Sequence, residues 1–255
     1  MKGIDKMNKD YMIRTIAFID ILGFKIMVQN EKAHIISQVL DDLHKCAVLE
    51  DKKSNYNYIS TLEIAYFSDS IVLSCDNSND YGFIQNLMNL QIELMRKGIY
   101  VRGCMTKGEL YHKDNYIFGP ALIAAYEEEA KLAKYPRIIL GKNYNYEGTY
   151  FCKDYDGLYF IDPFRNLQNR EWNEEFNMDL AIREIVTQLD NNIKLYESEK
   201  EVLMKFIWLK QIIDEAFYKV DNKYKYFWSS NSTYDRSETL RMLRNTLINK
   251  VNNDS

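Results

Sequence analysis

The chain carries, near its N-terminus, the run Ile16-Ala17-Phe18-Ile19-Asp20-Ile21-Leu22-Gly23-Phe24. Its β-branched and aromatic residues predict a buried strand, and one carboxylate, that of Asp20, interrupts the apolar pattern. A buried ionised carboxylate is tolerated only when it is paired, hydrogen-bonded or bound to a metal ion. The run therefore predicts a central strand with a candidate functional residue at Asp20.

A second run of the same kind lies further along the chain. It consists of Ile64-Ala65-Tyr66-Phe67-Ser68-Asp69-Ser70-Ile71-Val72-Leu73-Ser74, with a turn predicted at Ser68-Asp69. A lone Asp in such a run could instead cap a helix, begin a turn or pair with a buried Arg. Two such aspartates, Asp20 and Asp69, on adjacent strands favour a shared cation, because oxygen ligands at a strand end suit Mg²⁺ or Mn²⁺.

Composition limits the classes of function. The chain has 255 residues, 46% hydrophobic and 27% charged, which is enough for a sizeable core, and its net charge of −4 argues against binding nucleic acid through a basic surface. The four cysteines, at positions 46, 75, 104 and 152, form no CxxC pair and predict free thiols. The polar leader over residues 1–10 and the absence of a long apolar run predict a cytoplasmic protein without membrane contact.

The order of predicted elements indicates a fold class. Hydrophobic periodicity predicts strands at Arg14–Leu22, Ile59–Phe67, Ser70–Ser74 and Ile99–Thr106, and helices at Ala33–Leu49 and Tyr81–Lys97. This βαββαβ order describes an α+β fold with a ferredoxin-like, mostly antiparallel sheet and two helices on one face.

Further elements are predicted downstream. They are a helix at Ala121–Lys134, a strand at Ile138–Leu140, a hairpin at Tyr150–Phe164 around Asp156-Gly157, helices at Met178–Tyr196 and Glu199–Val220, and a basic helix at Arg236–Lys250. We expect residues 1–165 to form a catalytic domain, and residues 166–255 a helical extension packed on it or on a dimer partner.

Five short motifs in order suggest a family. They are Phe18-Ile19-Asp20-Ile21-Leu22-Gly23-Phe24, Phe67-Ser68-Asp69, Val101-Arg102-Gly103, Gly108-Glu109-Leu110 and Phe118-Gly119-Pro120-Ala121. Together they resemble the catalytic domain of class III nucleotidyl cyclases, and in particular the bacterial pyrimidine cyclases of the Pycsar anti-phage system. The resemblance covers roughly residues 14 to 165.

The resemblance implies an activity and a site. Such enzymes convert a nucleoside triphosphate into a 3′,5′-cyclic monophosphate and pyrophosphate, using two Mn²⁺ or Mg²⁺ ions at each site. It implies metal binding by Asp20, the Ile21 backbone and Asp69, and phosphate binding by backbone amides at Gly23 and Phe24. It also implies a homodimer with shared sites, and a separate effector protein that binds the cyclic product.

The chain departs from the family at one pair of residues. Many class III cyclases have an Asn and an Arg on the helix that follows Gly119, and the aligned positions here are Ile123 and Glu127. Either other cations take over, or catalysis is lost. The candidate cations are Arg102, Lys131, Lys134 and Arg137, of which we expect Arg102 and Arg137 to be catalytic and Lys134 to bind nucleotide. Arg137, next to Pro136, could instead form a salt bridge with a surface carboxylate.

The choice of base depends on the residues just before Asp69. Purine cyclases of this class usually have a Lys there, whereas this chain has Glu63-Ile64-Ala65-Tyr66-Phe67. Tyr66 or Phe67 could contact a pyrimidine ring, and strand alternation gives Phe67 the parity of Asp69 unless the turn shifts the register. We expect UTP rather than CTP as substrate.

Two further hypotheses come from other classes. A degenerate cyclase domain could bind a nucleotide or a partner protein without turnover, which the missing Asn and Arg favour and the retained Asp20 and Asp69 oppose. A polymerase-like or diguanylate-cyclase-like palm domain would share the two-metal chemistry, but the chain lacks a Gly-Gly-Asp/Glu turn.

Overall fold

The computed structural model describes residues 11–53, 62–76, 80–114, 116–145, 148, 150–165, 167, 176–220, 223–226 and 234–236. Its helices are α1 (Phe24–Asn30), α2 (Ala33–Lys53), α3 (Asp80–Arg96), α4 (Pro120–Leu132), α5 (Met178–Leu195) and α6 (Lys200–Ala216). Its strands are β1 (Met12–Ile21), β2 (Glu63–Phe67), β3 (Ser70–Asp76), β4 (Val101–Lys113), β5 (Tyr116–Phe118), β6 (Ile138–Leu140), β7 (Phe151–Lys153), β8 (Tyr159–Ile161), β9 (Phe217–Val220), β10 (Lys223–Tyr226) and β11 (Tyr234–Asp235).

The first four strands form the predicted ferredoxin-like core. They lie in the order β2-β3-β1-β4, and every neighbouring pair is antiparallel. With a helical crossover after β1 and another after β3, this is the βαββαβ arrangement. The α+β fold and the mostly antiparallel sheet are therefore confirmed.

The sheet continues beyond the core. Strand β6 pairs with β4 in parallel, and β8, β7 and β11 extend that side, while β5 pairs with the far end of β4. Strands β7 and β8 are the two arms of the predicted hairpin. A separate two-stranded ribbon joins β9 and β10.

Strand β1 is apolar because both of its faces are covered. Ala17, Ile19 and Ile21 belong to the core under α2 and α3, whereas Ile16 and Phe18 pack on the opposite face against α4. Such a strand has little room for a charge except at its end, which is where Asp20 lies.

Helices α5 and α6 complete a second apolar core. Side chains from α3, the sheet and these two helices meet in it, among them Met95, Phe160, Ile182 and Trp208. The predicted domain boundary after residue 165 stays a prediction.

Among the described residues, no helix is both long and apolar enough to cross a membrane.

Two predicted elements end differently in the structure, and strands β5, β10 and β11 were not predicted. Strand β4 does not end near Thr106, because Lys107 to Leu110 stay in register with β1. Residues 217–220, predicted as the end of a helix, form β9. The predicted basic helix Arg236–Lys250 lies, apart from its first residue, outside the described residues.

A buried polar cluster joins β1, β3 and β4 on the α4 side of the sheet. The Arg14 Nε donates a hydrogen bond to Ser74 Oγ at 2.9 Å, and this hydroxyl also lies 2.8 Å from Nδ1 of His112. Burial, together with the nearby Arg14 charge, lowers the pKa of His112 to about 4, from an ordinary value of 6.5. The folded chain thus holds this imidazole neutral.

This cluster predicts a loss of stability in mild acid. Between pH 6.5 and 5 the unfolded chain binds a proton at His112 and the folded chain does not, so the free energy of unfolding falls by about 2 kcal/mol. Urea unfolding at several pH values should show this slope, and His112→Gln should remove it. His34→Gln, at an exposed position, is the control; an unchanged slope in His112→Gln contradicts the prediction.

Candidate active site at the end of the central strand

The sheet register places three polar side chains together at the end of β1. Asp20 is the cross-strand partner of Ser70 on β3 and of Arg102 on β4, and such partners share a face of the sheet. The Arg102 Nε and Nη2 atoms donate to Asp20 Oδ2 at 3.2 and 3.1 Å. Ser70 Oγ donates to Oδ1 at 3.4 Å.

Asp69 reaches the same point from the turn between β2 and β3. Ser68 has a φ of 54°, which closes the turn. The Ile21 N–H donates to the Asp69 carbonyl at 3.1 Å, so the turn is fixed to the end of β1. The two predicted metal-binding carboxylates are therefore neighbours.

The electrostatics of Asp20 reflect this proximity. Burial raises the pKa of the Asp20 carboxyl, its hydrogen bonds with Arg102 lower it, and the adjacent Asp69 carboxyl, within hydrogen-bonding reach, raises it again. Two carboxylates in contact are stable only with a shared proton or a cation between them. The pair is thus disposed to bind positive charge.

A third carboxylate, Glu129, approaches the same Nε atom of Arg102 as Asp20 does. It comes from α4 and is buried, with 3% of its surface exposed. Its Oε1 lies 2.9 Å from Arg102 Nε as an ion pair, outside hydrogen-bond geometry. Burial raises the pKa of Glu129, and Arg102 opposes this shift.

Sequence reasoning missed Glu129, although a signal was present. Ala121, Ala125 and Glu129 recur every four residues, and all three are buried on one stripe of α4. A carboxylate in register with two buried alanines should point inward.

Two backbone features surround this cluster. Arg102 Nη1 donates to the Ala133 carbonyl at 3.3 Å, which holds the segment after α4 against the site. Gly103 has no space for a side chain, since a Cβ would lie 2.6 Å from the Phe18 carbonyl oxygen. The close approach of β4 to β1 beside Arg102 therefore requires glycine.

The predicted phosphate-binding segment follows β1 directly. Gly23 precedes α1 with a φ of 81°, a left-handed conformation that favours glycine. The Phe24 side chain is half-buried and packs on the core under α2 and α3, so only its backbone is available for phosphate. Lys134 is exposed and follows Ala133. The roles of Gly23, Phe24, Lys134 and the Ile21 carbonyl stay predictions.

The two aromatic candidates lie on opposite faces of the sheet. Phe67 pairs with Ser70, which pairs with Asp20, so Phe67 shares the Asp20 face and is 46% exposed. Tyr66 faces α2, where its ring centroid lies 4.6 Å from that of His44. The structure thus keeps Phe67 near the site and separates Tyr66 from it.

The structure also separates Arg137 from the two aspartates. The Arg137 side chain is 1% exposed and pairs with Asp154 and Asp156 in the second apolar core. Trp208 Nε1 donates to the same Asp154 at 2.8 Å, and Arg236 pairs with it too. Arg137 thus forms salt bridges, as the alternative considered for it had it, but with a buried partner, Asp154, as well as a surface one. A catalytic role for Arg137 does not fit a guanidinium enclosed among aromatic rings.

The positions aligned with the family's Asn and Arg lie at the surface. Ile123 is 60% exposed, and Glu127 pairs with Lys131 one turn further along α4. A different cation, missed from the sequence, does approach the cluster. Burial lowers the pKa of Lys205 on α6, and the neighbouring Arg102 charge lowers it further.

The donor set fits a hard divalent cation. Among the described residues, no group of three or more His, Cys, Asp or Glu side chains is arranged to hold a metal ion. Asp20 and Asp69 supply carboxylate oxygens at one point, and backbone carbonyls, water and substrate phosphates would complete the coordination. Mg²⁺ and Mn²⁺ are commonly bound in this way, by one or two carboxylates together with substrate phosphates.

Comparison with known proteins gives only distant likenesses. No family model and no curated protein match the chain. A bacterial light-regulated adenylyl cyclase is similar at 13% identity and a TM-score of 0.46, over 60% of this chain and 51% of that one, so the chain spans about half its length.

Two guanylyl cyclase structures are similar to the same degree. The guanylyl cyclase domain of the RhoGC fusion protein from the aquatic fungus Blastocladiella emersonii has 12% identity and a TM-score of 0.45, over 59% of this chain and 95% of that one. The guanylyl cyclase Cya2 has 12% identity and a TM-score of 0.43, over 60% and 92%. Likeness at this level concerns the path of the chain and specifies no substrate.

The position of Arg137 predicts a structural role. Arg137→Met should lower the free energy of unfolding by about 3 kcal/mol, because it leaves buried Asp154 short of a partner. Urea unfolding measures this. Lys131→Met, which breaks only the exposed pair with Glu127, should change it by less than about 0.5 kcal/mol. An unfolding midpoint of Arg137→Met equal to wild type would contradict the assignment.

Proposed function

We propose that the chain is a nucleotidyl cyclase. The ribose 3′-oxygen of a nucleoside triphosphate attacks the α-phosphorus, the bond from that phosphorus to the β-phosphate oxygen breaks, and pyrophosphate leaves as the 3′-hydroxyl proton is lost. The observation that supports this proposal is the contact of Asp20 and Asp69 at the end of β1, with Arg102 beside them.

Each group has a role in this reaction. Asp20 and Asp69 would hold two Mn²⁺ or Mg²⁺ ions, which when bound lower the pKa of the 3′-hydroxyl and neutralise phosphate charge. Arg102, 28% exposed, presents a guanidinium to the phosphates. The backbone at Gly23 and Phe24 would bind phosphate oxygens at the entry to α1, and Lys134 would add a charge from the segment after α4.

For the base we propose uracil, with cytosine as the alternative. The segment 63–67 offers no Lys to bind a purine. Phe67 lies on the Asp20 face with about half of its surface free, so its ring is available to a small pyrimidine. Cyclic UMP would then serve as an alarm signal in anti-phage defence, recognised by a separate effector protein, as the sequence resemblance suggests.

We further propose a homodimer. Strand β5 and helix α4 present large exposed apolar side chains next to each other, namely Tyr116, Phe118, Ile123 and Tyr126. Their exposed fractions run from 50% to 72%, and an apolar patch of this kind marks an interaction surface. A second copy on this face would lie beside the exposed side of the Asp20 site.

A second function, nucleotide binding without turnover, has one observation in its favour. Neither Ile123 nor Glu127 can replace the Asn and Arg of the family, and Glu127 is occupied by Lys131 at the surface. Arg102, which holds Asp20 directly, favours the enzyme.

The first test is product formation. Purified protein incubated with each of ATP, GTP, CTP and UTP, in Mn²⁺ and in Mg²⁺, should give cyclic UMP by mass spectrometry. Asp20→Ala and Asp69→Ala should each lower the rate by ~100-fold or more, since metal-ion catalysis supplies several kcal/mol of transition-state stabilisation.

Asp41→Ala, at an exposed position on α2, is the matched control and should keep full activity. If cyclic CMP were the only product, the choice of uracil would be wrong and the proposal of a nucleotidyl cyclase would still hold. Nucleotide binding by thermal shift, with no cyclic product from any triphosphate, would favour the second function.

The dimer has its own test. Ile123→Glu should convert a dimer into a folded monomer, as measured by light scattering after size exclusion, because a carboxylate at an apolar interface loses its water without gaining a partner. Activity per chain should fall with the dimer. Met204→Glu, an exposed apolar position on α6, is the control; a wild-type monomer with full activity would refute the dimer.

A further inference from the structure

We propose that Glu129 is a positioning residue, which holds Arg102 in the site when Asp20 turns to a divalent cation. This inference rests on the proposed function. It assigns a role to a buried carboxylate that neither binds the metal nor contacts substrate, and acts chiefly through Arg102.

The starting point is that one guanidinium serves two carboxylates. Arg102 makes two hydrogen bonds to Asp20 and an ion pair with Glu129, whose Oε1 shares the same Nε. Asp20 is the partially exposed member, at 16%, whereas the Glu129 side chain is 4% exposed. Arg102 therefore connects a partly exposed carboxylate, that of Asp20, with a buried one on α4, that of Glu129.

Binding a cation changes this arrangement at Asp20. Both hydrogen bonds from Arg102 end on Oδ2, so a cation gains full use of the Asp20 carboxylate only when the guanidinium withdraws. If Asp20 were the only carboxylate beside Arg102, withdrawal from it would leave the guanidinium unpaired in a half-buried position. This is strongly unfavourable. Glu129 at 2.9 Å and the Ala133 carbonyl at 3.3 Å are positioned to keep it paired.

Glu129 is not arranged as a further metal ligand. Its Oε1 faces Arg102, and among the described side chains no cluster of three carboxylates has metal-binding geometry. Glu129 acts on Asp20 weakly as a nearby like charge, and mainly by sharing the guanidinium that Asp20 also binds. Without Glu129, Arg102 would depend on Asp20 and would compete with the cation for it.

The experiment measures Mn²⁺ binding to the full-length chain from the electron paramagnetic resonance signal of free Mn²⁺. Glu129→Gln keeps the side-chain size and removes the charge, and Glu129→Asp keeps the charge and withdraws it from Arg102. Both should raise the Kd for Mn²⁺ about tenfold. Glu127→Gln, two residues away on the exposed face, should stay within about twofold.

The Arg102→Met background tests the route. There Glu129→Gln should change the Kd by less than about twofold, since the residue through which Glu129 chiefly acts is gone. If Glu129→Gln weakened Mn²⁺ binding a further tenfold in that background, Glu129 would be a direct metal ligand. If Glu129→Asp kept the wild-type Kd, only the negative charge of residue 129 would matter, and not its contact with Arg102. Either result overturns the inference, as does wild-type binding by Glu129→Gln. Circular dichroism confirms that each variant is folded.

Failure of the inference and failure of the proposed function give different results. If the wild-type chain makes a cyclic product and loses Mn²⁺ binding in Asp20→Ala, while the Glu129 variants bind normally, only the inference fails. If Mn²⁺ binding by the wild-type chain does not depend on Asp20, both fail.

Discussion

The site depends on one constraint, that a single guanidinium must satisfy carboxylates from two directions. The Nε atom of Arg102 is shared by Asp20, at the mouth of the site, and Glu129, on the buried face of α4. Charges this poorly hydrated persist only when each has a partner. The position of Arg102 therefore fixes the distance between α4 and the end of β1, and with it the space in which a substrate could lie.

The ferredoxin-like sheet meets this constraint through its register. Asp20, Ser70 and Arg102 are cross-strand neighbours, and the bond from the Ile21 N–H to the Asp69 carbonyl adds the turn. A one-residue slip of β1 would move Asp20 to the core face and its apolar neighbours to the site. The apolar packing on both faces of β1 thus fixes the chemistry as well as the fold.

Much of this could be predicted from the sequence, and the exceptions have physical reasons. Periodicity gave the core strands, and a carboxylate in each of two apolar runs gave Asp20 and Asp69. The direction of Arg137 could not be predicted, because its partner Asp154 comes from a hairpin that only the folded sheet brings close. Glu129 could have been found from its spacing with Ala121 and Ala125. Strand parity with Asp69 predicted that Phe67 faces the site, and the register places Phe67 on the face of the sheet that carries Asp20.

Charge also distinguishes the two candidate functions. Three carboxylates, Asp20, Asp69 and Glu129, surround the site, and the cations beside them are Arg102 and Lys205. With all five ionised the cluster is negative, so it repels a free triphosphate, which is itself strongly anionic. A domain that binds metal-free nucleotides would have no reason to keep this excess of carboxylates next to the phosphates. An enzyme that takes its substrate together with divalent cations needs that excess, because the cations reverse the sign of the field as they enter.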